Sequence, residues 1–88
     1  MLDNPTTLNT KVLVLHGEDD PLVPPEQVAA FKAEMTEKQA DWQLHAYGHT
    51  MHAFTRPQAN DPAFGAVYNR SADDRSWLAM LNFFEEVL

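Results

Sequence analysis

The stretch that most constrains this chain is Lys11 to Pro25, KVLVLHGEDDPLVPP. Val12, Leu13, Val14 and Leu15 form an apolar run without alternation, and a run that short fits a strand buried on both faces of a parallel sheet. Gly17 ends the run, and Glu18, Asp19 and Asp20 follow before the prolines. Asp20 precedes Pro21, which pushes it toward extended dihedrals. Pro25 suits the first position of a helix, with Glu26 favourable in the first turn. The stretch reads as a strand, an acid-bearing loop and a helix start. What Asp19 or Asp20 does at the mouth of that strand is the question the rest of the chain must answer.

The helix extends over 25–38, with Val28, Phe31 and Met35 on one side and Glu34 and Lys38 paired at i, i+4 in the better orientation. A second strand follows over 42–47, with Trp42, Leu44 and Ala46 on one face and Gln43, His45 and Tyr47 on the other. Gly48 closes it. From His49 to Arg70 no period is sustained, and Pro57, Asn60, Asp61, Pro62 and Gly65 mark a connection of roughly twenty residues, a length that is usually functional or disordered. Ser71 with Asp74 resembles a weak capping box opening a last helix. Trp77, Leu81, Phe84 and Leu88 form a stripe on it, widened by Met80, Phe83 and Val87, and that stripe is expected to be buried against something. Strand, helix, strand, helix is an α/β content. Two parallel strands linked through a helix make a right-handed crossover whose carboxyl ends lie side by side, and sites form at that edge of open α/β sheets.

The chain's balance excludes several functions. Eighty-eight residues make at most one small domain, and a chain of this size buries only about 60–65% of its unfolded surface. Six basic against thirteen acidic residues give a net charge of −7, the wrong sign for nucleic acid or an anionic membrane. No apolar stretch approaches the ~20 residues that span a bilayer. The start, MLDNPTTLNT, has neither a basic n-region nor an apolar h-region, so a cytoplasmic location is expected. Cysteine is absent, which removes disulfides, thiolate metal sites and a cysteine nucleophile from these residues.

Asp20 on the first loop and His52 on the second place an acid and an imidazole at adjacent strand ends, two thirds of an acyl-transfer triad. Plainer readings exist for each. Aspartates before helices are commonly turn or cap residues, and loop histidines are commonly just solvated. A metal site from His45, His49 and His52 is disfavoured, because one lies in a strand and two in a loop. Trp42 and Trp77 read as core or interface residues, and Asp73-Asp74 and Glu85-Glu86 as solvated acids.

Two motifs carry a resemblance. Gly17-Glu18-Asp19-Asp20-Pro21-Leu22-Val23-Pro24 is similar to the Gly-x-x-Asp-x-x-Val-Pro stretch of the dienelactone hydrolase family, within the α/β-hydrolase fold. Gly48-His49-Thr50-Met51-His52-Ala53-Phe54 resembles that family's Gly-x-x-x-His-x-Phe. The late stretch NDPAFGAVYNRSADDRSW also looks like these proteins, so the resemblance runs from about Lys11 to Leu88. It implies the C-terminal βαβα portion of an α/β-hydrolase parallel sheet: a lead-in over 1–10, strand, helix and strand with both loops over 11–54, a loop over 55–70, and a helix over 71–88. It implies hydrolysis of small esters or lactones with no cofactor. Counted back from Val23-Pro24, the acid is Asp20, with Asp19 as its neighbour, and the histidine is His52.

The family also carries a Gly-x-Cys/Ser-x-Gly nucleophile elbow upstream of the acid and histidine. Here the three glycines are never two apart, and the only serines, Ser71 and Ser76, read as cap and surface residues of the last helix. Two expectations follow. Either this chain supplies the acid and histidine to a nucleophile on another segment, or it is an inactive truncated or split product that self-associates or pairs with an N-terminal segment. An unpaired strand edge would favour such association in both cases.

Overall fold

A computed structural model describes residues 9–88; of the lead-in, positions 1–8 lie outside the described residues. The apolar run forms β1 (Lys11–Gly17), followed by α1 (Pro25–Glu37) and β2 (Asp41–Tyr47). β1 and β2 pair in parallel, from Lys11 opposite Asp41 to Gly17 opposite Tyr47. Both strands therefore end at the same level, which sets the loops after Gly17 and after Tyr47 beside each other.

Alternation along β1 sends successive side chains to opposite faces. Leu15 lines a cleft with Ser76, Trp77 and Met80 of the last helix, whereas His16 lies beside Val28, Ala29 and Lys32 of α1. The sheet thus carries one helix on each side. Proline at the helix start and Glu26 in the first turn open α1 as expected, and Lys38 reaches Glu34 at 2.8 Å. Phe31 meets Trp42 of β2 edge-on, with ring centroids 6.2 Å apart. α1 ends in a Schellman arrangement: Gln39 N–H donates to Thr36, Ala40 N–H to Met35, and Gln39 takes the left-handed φ of 59° usually given to glycine.

The long connection contains more order than its composition announces. β3 (Asn60–Asp61) and β4 (Ala66–Val67) pair antiparallel. The turn between them is held by Asp61, whose carboxylate accepts from Phe64 N–H at 3.1 Å and whose carbonyl accepts from Gly65 N–H at 2.9 Å. Strands of two residues present no period, so only their turn residues are visible in the sequence. Gly65 has φ of +98°, and a Cβ there would run into the ring of Pro21 in the acid loop. The hairpin is seated against that loop through a residue with no side chain.

The last helix, α2 (Arg70–Val87), corrects three expectations. Its cap is Asn69, which accepts from Ala72 N–H at 3.0 Å, and not Ser71. Ser76 is buried rather than on the surface, its hydroxyl donating to Asp73 carbonyl at 3.0 Å. The stripe of Trp77, Leu81, Phe84 and Leu88 is exposed among the described residues, and α2 buries only Ala72 and Ser76. The reason is width: two strands about 4.8 Å apart offer too narrow a floor for a helix of 18 residues. No helix is long and apolar enough to cross a membrane among the described residues.

Two tyrosines tie the layers together. Tyr68 donates to Asp73 of α2 at 2.8 Å, and Tyr47 packs on Phe54 with centroids 5.8 Å apart. The hydrogen bond to Asp73 raises the Tyr68 pKa above 10.0, and burial raises that of Tyr47. Because both folded values are raised, their contribution to stability is present below pH ~10 and is lost as pH rises through the folded values. A spectrophotometric titration is expected to show both phenols ionising above that of free tyrosine, with Asp73→Asn moving one of them back toward it. A titration in which both ionise as free tyrosine would contradict the packing.

Glycine substitutions test the contacts between the loops. Gly65→Ala and Gly17→Ala are each expected to cost about 1–3 kcal/mol in urea unfolding. A Cβ on Gly48 meets nothing within 4 Å, so Gly48→Ala should stay within roughly 0.5 kcal/mol. Equal effects at all three positions would refute this account.

Candidate active site

Gly17 is where the two strand-end loops meet. A Cβ on it would lie 2.6 Å from the carbonyl oxygens of both Thr50 and Met51, so only glycine lets the backbones approach this closely. Glu18 N–H donates to Tyr47 carbonyl at 2.9 Å and Asp19 N–H to Thr50 carbonyl at 2.9 Å, extending the ladder past the strand ends. The chain then turns, with Asp20 N–H donating to Gly17 carbonyl at 3.1 Å. Asp19 is left exposed, and Asp20 is buried.

Asp20 has a partner for each carboxylate oxygen. Oδ1 accepts from Leu22 N–H at 2.8 Å, an Asx turn around Pro21 that holds the carboxylate at one angle. Oδ2 lies 3.0 Å from Nδ1 of His52. The cap reading and the triad reading of this aspartate are thus compatible, one for each oxygen.

His52 is held by its backbone as well as by its ring. Its N–H donates to Gly65 carbonyl at 2.9 Å, and its carbonyl accepts from Val67 N–H at 3.2 Å, so the residue bridges to Ala66 of the hairpin. The loop that presents it is tightly wound. His49 and Ala53 adopt left-handed φ of 55° and 57°, a conformation that costs a residue with a Cβ roughly 1–2 kcal/mol. Thr50 within this loop is 1% exposed, and its hydroxyl donates to Gly48 carbonyl at 2.9 Å.

A carboxylate accepts and never donates, so the 3.0 Å contact requires the hydrogen of the neutral ring on Nδ1. Nε2 is then the acceptor nitrogen. The His52 side chain is 46% exposed, against 7% for Asp20, and lines an open cleft of about 690 Å³. Leu15, Val23, Phe54, Trp77 and Met80 supply the apolar walls of this cleft. A buried acid behind a half-exposed imidazole facing an apolar cleft is an arrangement suited to proton transfer with a guest in that cleft.

The other histidines lie apart from this pair in role. His45 Nε2 is 3.1 Å from Gln43 Oε1, and His16 is buried against α1. No group of three or more His, Asp or Glu residues is placed to hold a metal among the described residues. Asn69, Thr50 and Gly65 are the supporting residues that sequence reasoning passed over. The one signal that could have found Asn69 is its position, an Asn two residues before Ser71 and able to cap in its place.

Residues 1–88 match the dienelactone hydrolase family. An uncharacterised protein of Caenorhabditis elegans is 35% identical over 79 residues, which is 89% of this chain and 50% of that protein. The crystal structure of a dienelactone hydrolase-like promiscuous phosphotriesterase from metagenomic libraries is similar at TM-score 0.84 and 41% identity, over 90% of this chain and 34% of its own. A solved structure named m3DLH gives TM-score 0.82 and 42% identity, over 89% of this chain and 33% of its own. The chain thus spans half the length of the curated relative and about a third of each solved one. Its parallel strand pair and two helices are a partial α/β-hydrolase sheet, and the chain belongs to the dienelactone hydrolase family.

Proposed function

We propose that this chain supplies the acid and histidine of an ester- or lactone-hydrolysing site, and that the nucleophile comes from a segment outside these 88 residues. The observation that carries the reading is the 3.0 Å contact between a buried Asp20 and the ring of His52 at the carboxyl edge of a parallel sheet. Asp20 keeps the hydrogen on Nδ1 and stabilises the imidazolium. Nε2 takes the proton from a cysteine or serine as its sulfur or oxygen attacks the ester carbonyl. The imidazolium then returns that proton to the leaving alkoxide as the carbon–oxygen bond breaks and an acyl-enzyme remains. Nε2 next takes a proton from water as its oxygen attacks the acyl carbon. The bond from that carbon to the nucleophile's sulfur or oxygen then breaks, the imidazolium returns the proton to the nucleophile, and the free acid leaves. The apolar walls of the cleft favour a small, weakly polar ester.

A second reading has its own observation. Trp77, Leu78, Leu81, Phe84 and Leu88 leave an apolar face of α2 exposed, and among the described residues the two-stranded parallel sheet has two open edges. Such a surface favours association, either of two copies or with an N-terminal segment, and a chain surviving on that basis would need no catalysis.

Turnover of p-nitrophenyl acetate separates the two. The isolated chain is expected to match its His52→Ala variant, since these residues hold no Gly-x-Cys/Ser-x-Gly elbow and the Ser76 hydroxyl is taken up by Asp73 carbonyl. Fused behind the nucleophile-bearing segment of a family relative, the same chain is expected to hydrolyse the ester. His52→Ala should then abolish turnover and Asp20→Asn should lower kcat by roughly 10²–10⁴. A phosphotriester belongs in the same assay, because one relative is described as a promiscuous phosphotriesterase. A fusion indifferent to His52→Ala would overturn the proposal, and so would His52-dependent turnover by the isolated chain. For association, sedimentation at micromolar concentration should show dimers or larger species, and a clean monomer would rule that reading out.

A further inference from the structure

We infer that Asn69 is the positioning residue for His52, acting from the start of α2 on both flanks of the histidine loop. Its carboxamide donates to Thr50 Oγ1 at 3.2 Å and to His49 carbonyl at 3.4 Å, ahead of His52. Its backbone N–H donates to Phe54 carbonyl at 3.0 Å, beyond His52. Its Oδ1 accepts from Ala72 N–H at 3.0 Å and so caps the helix, while its carbonyl accepts from Asp73 N–H at 2.8 Å. Every polar group of this residue is used, and three of its hydrogens are spent on the six residues that carry His52.

The loop needs such a clamp. His49 and Ala53 both hold left-handed φ, a conformation that persists in residues with a Cβ only where the surroundings over-determine it. The hairpin secures His52 itself, through Gly65 carbonyl and Val67 N–H. Asn69 secures the two ends, and because it is also the N-cap of α2, it ties the direction of the imidazole to the helix that forms one wall of the cleft. Thr50 is the buried relay: its hydroxyl receives one Asn69 hydrogen and passes its own to Gly48 carbonyl.

The purpose of this positioning rests on the reading of His52 as the base, but its test does not. Asn69→Asp keeps an oxygen for the Ala72 N–H, and aspartate is as good a cap as asparagine, while both carboxamide donors are lost. In the full 88-residue chain, the hydrogen of His52 Nδ1 is followed by proton NMR through its exchange with water. Asn69→Asp is expected to speed that exchange by roughly five- to thirtyfold with helix content unchanged by circular dichroism. Thr50→Val, which removes the relay oxygen and keeps the branched shape, should give a smaller increase in the same direction. Unchanged exchange in Asn69→Asp overturns the inference. Should that variant fail to fold, Thr50→Val decides alone, and unchanged exchange there overturns it too. In the active fusion, Asn69→Asp should lower kcat and leave KM in place. If the wild-type fusion proves inactive, the hydrolase reading fails while the exchange result stands independently.

Discussion

The site depends on how closely two backbones approach at Gly17. No side chain fits between that residue and the carbonyls of Thr50 and Met51, 2.6 Å from where a Cβ would be. The parallel pairing of β1 and β2 brings both loops to one edge, but pairing alone sets strands nearly 5 Å apart. The extra closeness past the strand ends, sealed by the Glu18 and Asp19 amides, brings the carboxylate and the imidazole to 3.0 Å. A carboxylate–imidazole pair has little tolerance: a shift of one ångström turns a charge-assisted hydrogen bond into a weak contact.

Much of this was legible in the residues. An apolar run ended by glycine specified β1, and proline with Glu26 specified the helix start. The Asp-Pro step marks an extended acid loop, but the choice of Asp20 over Asp19 comes from the resemblance to the dienelactone hydrolase family, counted back from Val23-Pro24. The structure buries Asp20 and leaves Asp19 exposed. His52 likewise comes from that resemblance, through the family's Gly-x-x-x-His-x-Phe frame. The strand, the helix start and the extended loop share a local cause: each is decided by neighbours within about one turn or one strand.

The unread parts have distant or short-range causes without a period. Gly65 matters because Pro21, far away in the chain, sits where its side chain would be. β3 and β4 are too short to alternate. Asn69 displaced Ser71 as cap because its carboxamide has donors to spare for Thr50 and His49, which a serine hydroxyl could not serve together. The stripe on α2 stays exposed although amphipathic periodicity reports a wish for cover, because the two-stranded parallel sheet among the described residues is too narrow to provide it. That exposed face and the open sheet edges are the physical counterpart of a chain spanning about a third of its solved relatives.

The most direct test of the account is the tautomer of His52 in the unmodified chain, read from long-range proton–nitrogen correlation of its ring. In the neutral imidazole the hydrogen is expected on Nδ1, facing Asp20, with Nε2 unprotonated. A ring carrying its hydrogen on Nε2, or averaging freely between the two, would contradict it.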